Sequence, residues 1–184
     1  MVMAEFYGQL NDELINFINR QHLFFVATAS AESRINLSPK GMDGLRVLNA
    51  RPVAYLDLTS SGYEAAAHPR HDGRLTIMLC SFDKQPLIVR LHGTGHVVYP
   101  KDSQWPDRMA AFIPTPGSRL IIVLNITSVQ TFCGYAVPLY CNLPGRGDTL
   151  RRWALRKGEQ RLQTYRHRNN RVSIDGLPSD HDDD

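Results

Sequence analysis

Apolar residues recur at helical spacing near the start of the chain, then switch to the shorter periods of strands. Tyr7, Leu10, Leu14, Phe17 and Ile18 share one face of a helical wheel, with Asn11, Asp12, Glu13 and Asn16 on the other; this predicts an opening amphipathic helix. Leu23 to Thr28 is a compact aromatic and β-branched run, as a buried strand requires. Arg34 to Ser38 alternates polar and apolar, which predicts an antiparallel neighbour across the turn Ala31-Glu32-Ser33, closed by Pro39 and Gly41. Further strands are expected at Arg46 to Asn49, Val53 to Leu58, Leu75 to Cys80, Leu87 to Tyr99 and Leu120 to Phe132. Between them, Ser61 to His68 reads as a short helix stopped by Pro69, and Ser103 to Phe112 as another. Successive strands with few helices indicate an antiparallel barrel rather than a βαβ sheet.

Helical spacing returns from Asp148 towards His167, with Leu150, Trp153, Ala154, Leu162 and Tyr165 on one stripe. Gly158 falls inside this segment and costs about 1 kcal/mol relative to Ala, which favours a kink or break. Residues 1–178 suit one domain, and the acidic stretch from Ser179 to Asp184 is expected to be a disordered tail. Between Arg146 and Arg171 stand nine Lys or Arg against Asp148 and Glu159, on a chain whose total is only +3. Such a block marks either a polyanion partner or a solvated helix face. No base-reading motif accompanies it, so nucleic acid is disfavoured. No apolar run approaches the roughly 18 residues of a membrane span, and the first residues lack a basic leader or signal core. Cys80, Cys133 and Cys141 form neither a disulfide framework nor a zinc knuckle. A cytoplasmic protein is expected.

Walker, nucleophile-elbow and His-Glu-x-x-His motifs are missing. Gly93-Thr94-Gly95 lacks the third glycine of a dinucleotide fingerprint and reads as a strand kink or bulge. His92 and His96 on a strand stand about 13 Å apart at roughly 3.3 Å per residue, too far to share a metal. His68 and His71 read as polar residues at a helix end. Three segments remain: Asn36 to Gly41, Arg46 just beyond, and Leu58 to Gly62 leading into a helix. Lys40 and Arg46 offer charge-assisted bonds to a phosphate monoester, and Ser38, Thr59 and Ser61 neutral ones. The alternative is that Ser61 only caps the helix and Lys40 points into water.

These segments, with Phe25 to Ala29, Ala54 to Thr59, Glu64 to His68, Leu91 to Gly95, Cys133 to Pro138, Trp153 to Gly158 and Ser173 to Pro178, resemble the pyridoxamine 5'-phosphate oxidase-related family of FMN-binding split barrels. The resemblance implies a mainly β fold with flanking helices, a six-stranded antiparallel split β-barrel. It also implies a homodimer with FMN in grooves at the interface. The phosphate would be gripped at Lys40, Arg46, Thr59 and Ser61, with Ser38 beside them, while Cys80 to Phe82 or Arg90 approach the ring. Arg90 is the candidate for a positive charge near the pyrimidine end, which stabilises anionic reduced flavin.

Three departures qualify this. Tyr63 stands where relatives carry Asn, Glu64 stands near a position that is basic in the true oxidases, and the C-terminus lacks their Trp-x-x-Arg-Leu-x-Pro pattern. A vitamin B6 substrate is therefore not expected. The reading is an FMN-dependent oxidoreductase acting on an unidentified small molecule. Alternatives are the same fold holding F420, or haem through His92 or His96, and a non-catalytic module whose basic helix meets nucleic acid.

Overall fold

The computed structural model describes residues 4–60, 62–140 and 149–178. Ser61, Cys141, Arg146, Asp148 and the tail from Ser179 lie outside the described residues. Among the described residues, eight strands form one antiparallel sheet: β1 (Glu5–Tyr7), β2 (Phe24–Thr28), β3 (Asn36–Lys40), β4 (Leu45–Val47), β5 (Pro52–Leu58), β6 (Arg74–Cys80), β7 (Leu87–Val98) and β8 (Ser118–Cys133). Their order is β3-β2-β6-β7-β8-β5-β4, with β1 alongside β8. Six strands of five residues or more make the expected barrel, curled as a half-barrel, and the three-residue β1 and β4 extend it. The helices are α1 (Asp12–Asn19), α2 (Glu64–His71), α3 (Trp105–Met109), α4 (Thr149–Lys157) and α5 (Glu159–Asn169).

Side-chain alternation divides the sheet into two faces. On β5, Val53 and Tyr55 enter the main core with Val26, Ile77, Leu79, Val89 and Leu91, while Ala54 lies on the opposite face with Val98, Phe112, Ile121 and Val123. The inner face is covered by α1, through Leu14, Phe17 and Ile18, and by α2, through Ala65, Ala66 and Ala67. Trp105 and Met109 of α3 pack on the second cluster.

The parity of β8 changes partway: Leu120, Ile122, Leu124 and Ile126 face the core, then Val129. The change sits at a register shift between His92 and Gly93, where Thr127 is the extra residue of β8. A bulge of this kind bends long strands into a barrel wall. Gly93 is needed there, because a Cβ on it would fall 2.0 Å from Asn125 O.

Three expectations are corrected. Tyr7 belongs to β1, paired opposite Val129, and helix α1 begins only after Asn11, whose side chain accepts from Leu14 N at 2.9 Å. Pro39 lies within β3 rather than closing it. As a sheet edge β3 has an open side where a missing N–H breaks no ladder bond. Pro69 likewise sits inside α2, which ends at His71; it is buried, and the space above Gly95 accommodates its ring.

The C-terminal helical segment divides at Gly158, whose φ of 71° glycine adopts freely. Part of the basic block is internal. Arg166 is buried, and Lys157 lies over Trp153 and Tyr165 at 5.1 and 5.2 Å.

Gly93→Ala is expected to lower unfolding stability by about 2 kcal/mol or more, because the new methyl meets backbone rather than a movable side chain. Urea denaturation of the variant against the parent reads this directly.

Candidate functional site

Edge strand β3 delivers polar side chains to the inner face. Pairing sets Asn36 opposite Thr28, Ser38 opposite Val26 and Lys40 opposite Phe24, so all three share the side on which those partners are buried. Across the barrel mouth stand Ser60, Gly62, Glu64 and Ala65, entering α2, and Arg119 of β8. With β3 they enclose a cleft of about 260 Å³.

A buried ion network holds the cleft together. Asp57, 2% exposed, accepts from Lys40 Nζ at 2.9 Å and from Arg119 Nε at 2.5 Å. Arg119 also donates to Gly62 O at 2.7 Å and to Asn170 Oδ1 at 3.1 Å, with its guanidinium 4.9 Å from the Tyr63 ring centroid. Asn170 in turn donates to Ser60 O at 3.2 Å. The register shift between Asp57 and Leu58 leaves Arg119 as the extra residue of β8. Such a bulge re-aims a side chain, and here the guanidinium meets Asp57. Burial works to raise the Asp57 carboxyl, but the charges of Arg119 and Lys40 outweigh it and hold the group below the usual carboxylate range. Burial pushes the Tyr55 phenol well up, so it stays neutral beside Lys40.

Of the residues expected to hold a cofactor, Ser38 and Lys40 meet in this cleft. Lys40 uses one of its three N–H donors, on Asp57, which leaves two for a ligand. Ser38 donates to Asn36 Oδ1 at 3.1 Å, so its hydroxyl reaches a ligand as a donor only by turning away from Asn36. Asn36 is held from beneath: its Nδ2 donates to Thr28 Oγ1 at 3.1 Å, and that hydroxyl pairs with Nδ1 of His68. His68 lies in the last turn of α2, as expected of a helix-end polar residue, and is fully buried.

Thr59, Arg46 and Arg90 are placed elsewhere. Thr59 is 1% exposed; its hydroxyl donates to Gly117 O and accepts from Arg166 Nε, both at 2.9 Å, tying β5 to α5. Arg46 pairs opposite Ala54, on the far side of the sheet from Leu45 and Tyr55. It donates to both Asp43 carboxylate oxygens, at 3.0 and 2.7 Å, and to Ala111 O at 2.9 Å. These bonds clamp a turn in which Met42 and Asp43 have φ of 60° and 56°. A joint grip by Lys40 and Arg46 is therefore not assembled in one chain, because strand alternation sends them to opposite faces. Arg90 is exposed on the outer face, 4.7 Å from the Phe132 ring centroid. His92, bonded to Thr76, and His96 lie on that outer face too. Burial and Arg108 lower the His96 pKa. Ser61 is outside the described residues.

A family model for pyridoxamine 5'-phosphate oxidase matches residues 10–133, which include every residue lining the cleft. The chain belongs to the pyridoxamine 5'-phosphate oxidase family. Among proteins of this family, ustO of Aspergillus flavus is 38% identical over 204 aligned residues, covering 97% of this chain and 79% of the relative. A candidate pyridoxamine 5'-phosphate oxidase from Lactobacillus delbrueckii shares the fold with a TM-score of 0.55 and 22% identity, over 67% of this chain and 94% of that one. A HupZ variant of Group A Streptococcus does so with a TM-score of 0.53 and 17% identity, over 66% and 98%.

Asn170 and Arg166, which brace the cleft, come from beyond the segment the family model matches. Among the described residues, no helix is long and apolar enough to cross a membrane. No group of three or more His, Cys, Asp or Glu is placed there to hold a metal.

Asp57→Asn leaves two cations without their counter-charge and is expected to cost about 3–5 kcal/mol. The native carboxyl titrates below its unfolded value of about 3.9, so its contribution is complete above that pH and fades as pH falls through the folded value. The stability gap between parent and variant in urea melts is expected to be full at pH 6 and to shrink below pH 4.

Proposed function

We propose that the protein is an FMN-binding flavoprotein, an oxidoreductase for a small molecule, working as a homodimer whose two clefts each receive the phosphate end of a cofactor. The observation that carries this reading is the cleft itself: in a member of this family, Lys40 keeps two unbonded N–H donors beside Ser38 in a pocket braced by buried charge. The donor set fits a phosphate ester: Lys40 brings a point charge, and the Ser38 hydroxyl becomes a second donor once it turns from Asn36 Oδ1. The cleft falls below the roughly 300–1,000 Å³ of pockets that enclose a whole small ligand. One chain thus accommodates the phosphate and adjoining atoms, and the ring lies beyond the mouth.

A second copy supplies the remaining wall. On the outer face one cross-strand row runs Pro39, Phe25, Met78, Arg90, Gln130 and Phe6. Leu37 and Phe6 there are 65% and 67% exposed. Burying this face in a two-fold interface carries Arg90 towards the cofactor. Bound flavin supplies the electron transfer. The chain's own groups orient it: Lys40 and Ser38 hold the phosphate, Asp57 fixes Lys40, and Arg90 offers positive charge.

Purified protein is expected to show bands near 370 and 450 nm, roughly where oxidised flavins absorb, and to release FMN on denaturation. Lys40→Ala is expected to weaken FMN binding at least about tenfold, with Asp57 still paired to Arg119. A colourless protein that takes up no added FMN contradicts the reading, as does release of haem or a deazaflavin. Leu37→Asp, at an exposed position, is expected to shift sedimentation from dimer to monomer and to lower flavin retention.

A further inference from the structure

Glu64 opens α2 and faces the same cleft as Ser38, Lys40, Ser60 and Arg119. Its carboxylate is held at both oxygens by backbone. Oε2 accepts from Tyr63 N at 2.9 Å, and Oε1 from Ile174 N at 3.3 Å. Gly62 leaves the room for this, since a Cβ there would stand 2.9 Å from Oε2. The turn that supplies Ile174 is pinned independently. Asp175 accepts from Arg34 N and from Arg34 Nη1, each at 2.9 Å. The carboxylate thus rests on amides at the cleft rim, in the electrostatic position that an incoming anion seeks at a helix start.

Charge around the cleft is already balanced. Lys40 and Arg119 bring two positive charges, and Asp57, bonded to both, returns one negative. Glu64 returns the second. A phosphate monoester arriving here adds up to two more negative charges to a neutral wall. It must either lie against Glu64 or displace it.

We propose that Glu64 is a specificity-determining residue, an internal anion that competes with the ligand's phosphate and keeps the preference for phosphorylated over unphosphorylated flavin low. This rests on reading the cleft as the phosphate end of a flavin site. Riboflavin carries no phosphate, so it meets no repulsion and gains little from Lys40. FMN gains the Lys40 contact and loses much of it to Glu64. Specificity is a difference of affinities, and here one carboxylate acts on one side of that difference.

Dissociation constants of FMN and riboflavin for the full-length apoprotein, read by quenching of flavin fluorescence, test this in the parent, Glu64→Gln and Glu64→Ser. Glu64→Gln keeps an oxygen to accept from Tyr63 N while removing the charge. Glu64→Ser removes the charge with a smaller polar side chain and gives a second route should the first variant fold poorly. FMN is expected to bind about tenfold tighter to either variant, as removal of one nearby like charge implies, while riboflavin changes less than about twofold. The gain is expected to shrink as salt rises. Equal shifts for both ligands, no shift, or weaker FMN binding in the variants overturn the role of Glu64 and leave the flavin reading intact. Failure of the parent to bind either flavin overturns that reading, and this assignment with it.

Discussion

The bridge from Asp57 to Lys40 and Arg119 organises the end of the molecule that holds the cleft. It joins β3, β5 and β8 through one carboxylate. Arg119 extends it to Gly62 at the entrance of α2, and to Asn170 beyond α5. Taking three charges out of water is costly unless each is paired and hydrogen-bonded. The carboxylate meets this condition with both oxygens, and the guanidinium with three donors. What the network yields is geometry. Lys40 is held at the cleft with donors to spare, and its orientation depends on strands that are far apart in sequence.

Face parity decides which residues can act together. Lys40 and Arg46 are six residues apart and equally basic, yet one faces the interior and the other the α3 side. Arg46 then serves the strained turn at Met42 and Asp43, and Lys40 is left to the cleft. Arg90 faces outward in a row that spans six strands, where it meets a ligand only if another surface closes over it. The same parity places His92 outside, while His68 of α2 supports Asn36 from within through Thr28.

Most of the strand pattern was legible in the sequence because alternation and β-branched runs report burial directly. The limits of β5, β6, β7 and β8 fall within two residues of expectation. Ser38 and Lys40, which line the cleft, stood out in the sequence as a hydroxyl and an ammonium at a strand end. Asp57 carried a signal in its own strand: it shares the parity of Val53 and Tyr55, and a carboxylate on a buried face needs a cation. Arg119 was hidden, since its inward aim depends on a bulge fixed by pairing with β5, which no local pattern encodes. Thr59 misled for a related reason. Its hydroxyl is of the right type at the right place, but Arg166, over a hundred residues later, claims it. Pro69 and Pro39 misled because tertiary contacts and an edge position override local propensity.

The central claim is that the inner-face cleft, and not the depression beside Arg46, takes the phosphate of a flavin. A crystal structure of the protein with FMN tests it most directly. The account predicts the phosphorus within the cleft of Ser38, Lys40 and Glu64, with a phosphate oxygen in hydrogen-bond reach of Lys40 Nζ, and the ring against a second copy. A phosphate seated instead among His22, Gly44 and Arg46, where a separate cavity of about 250 Å³ lies, would contradict it.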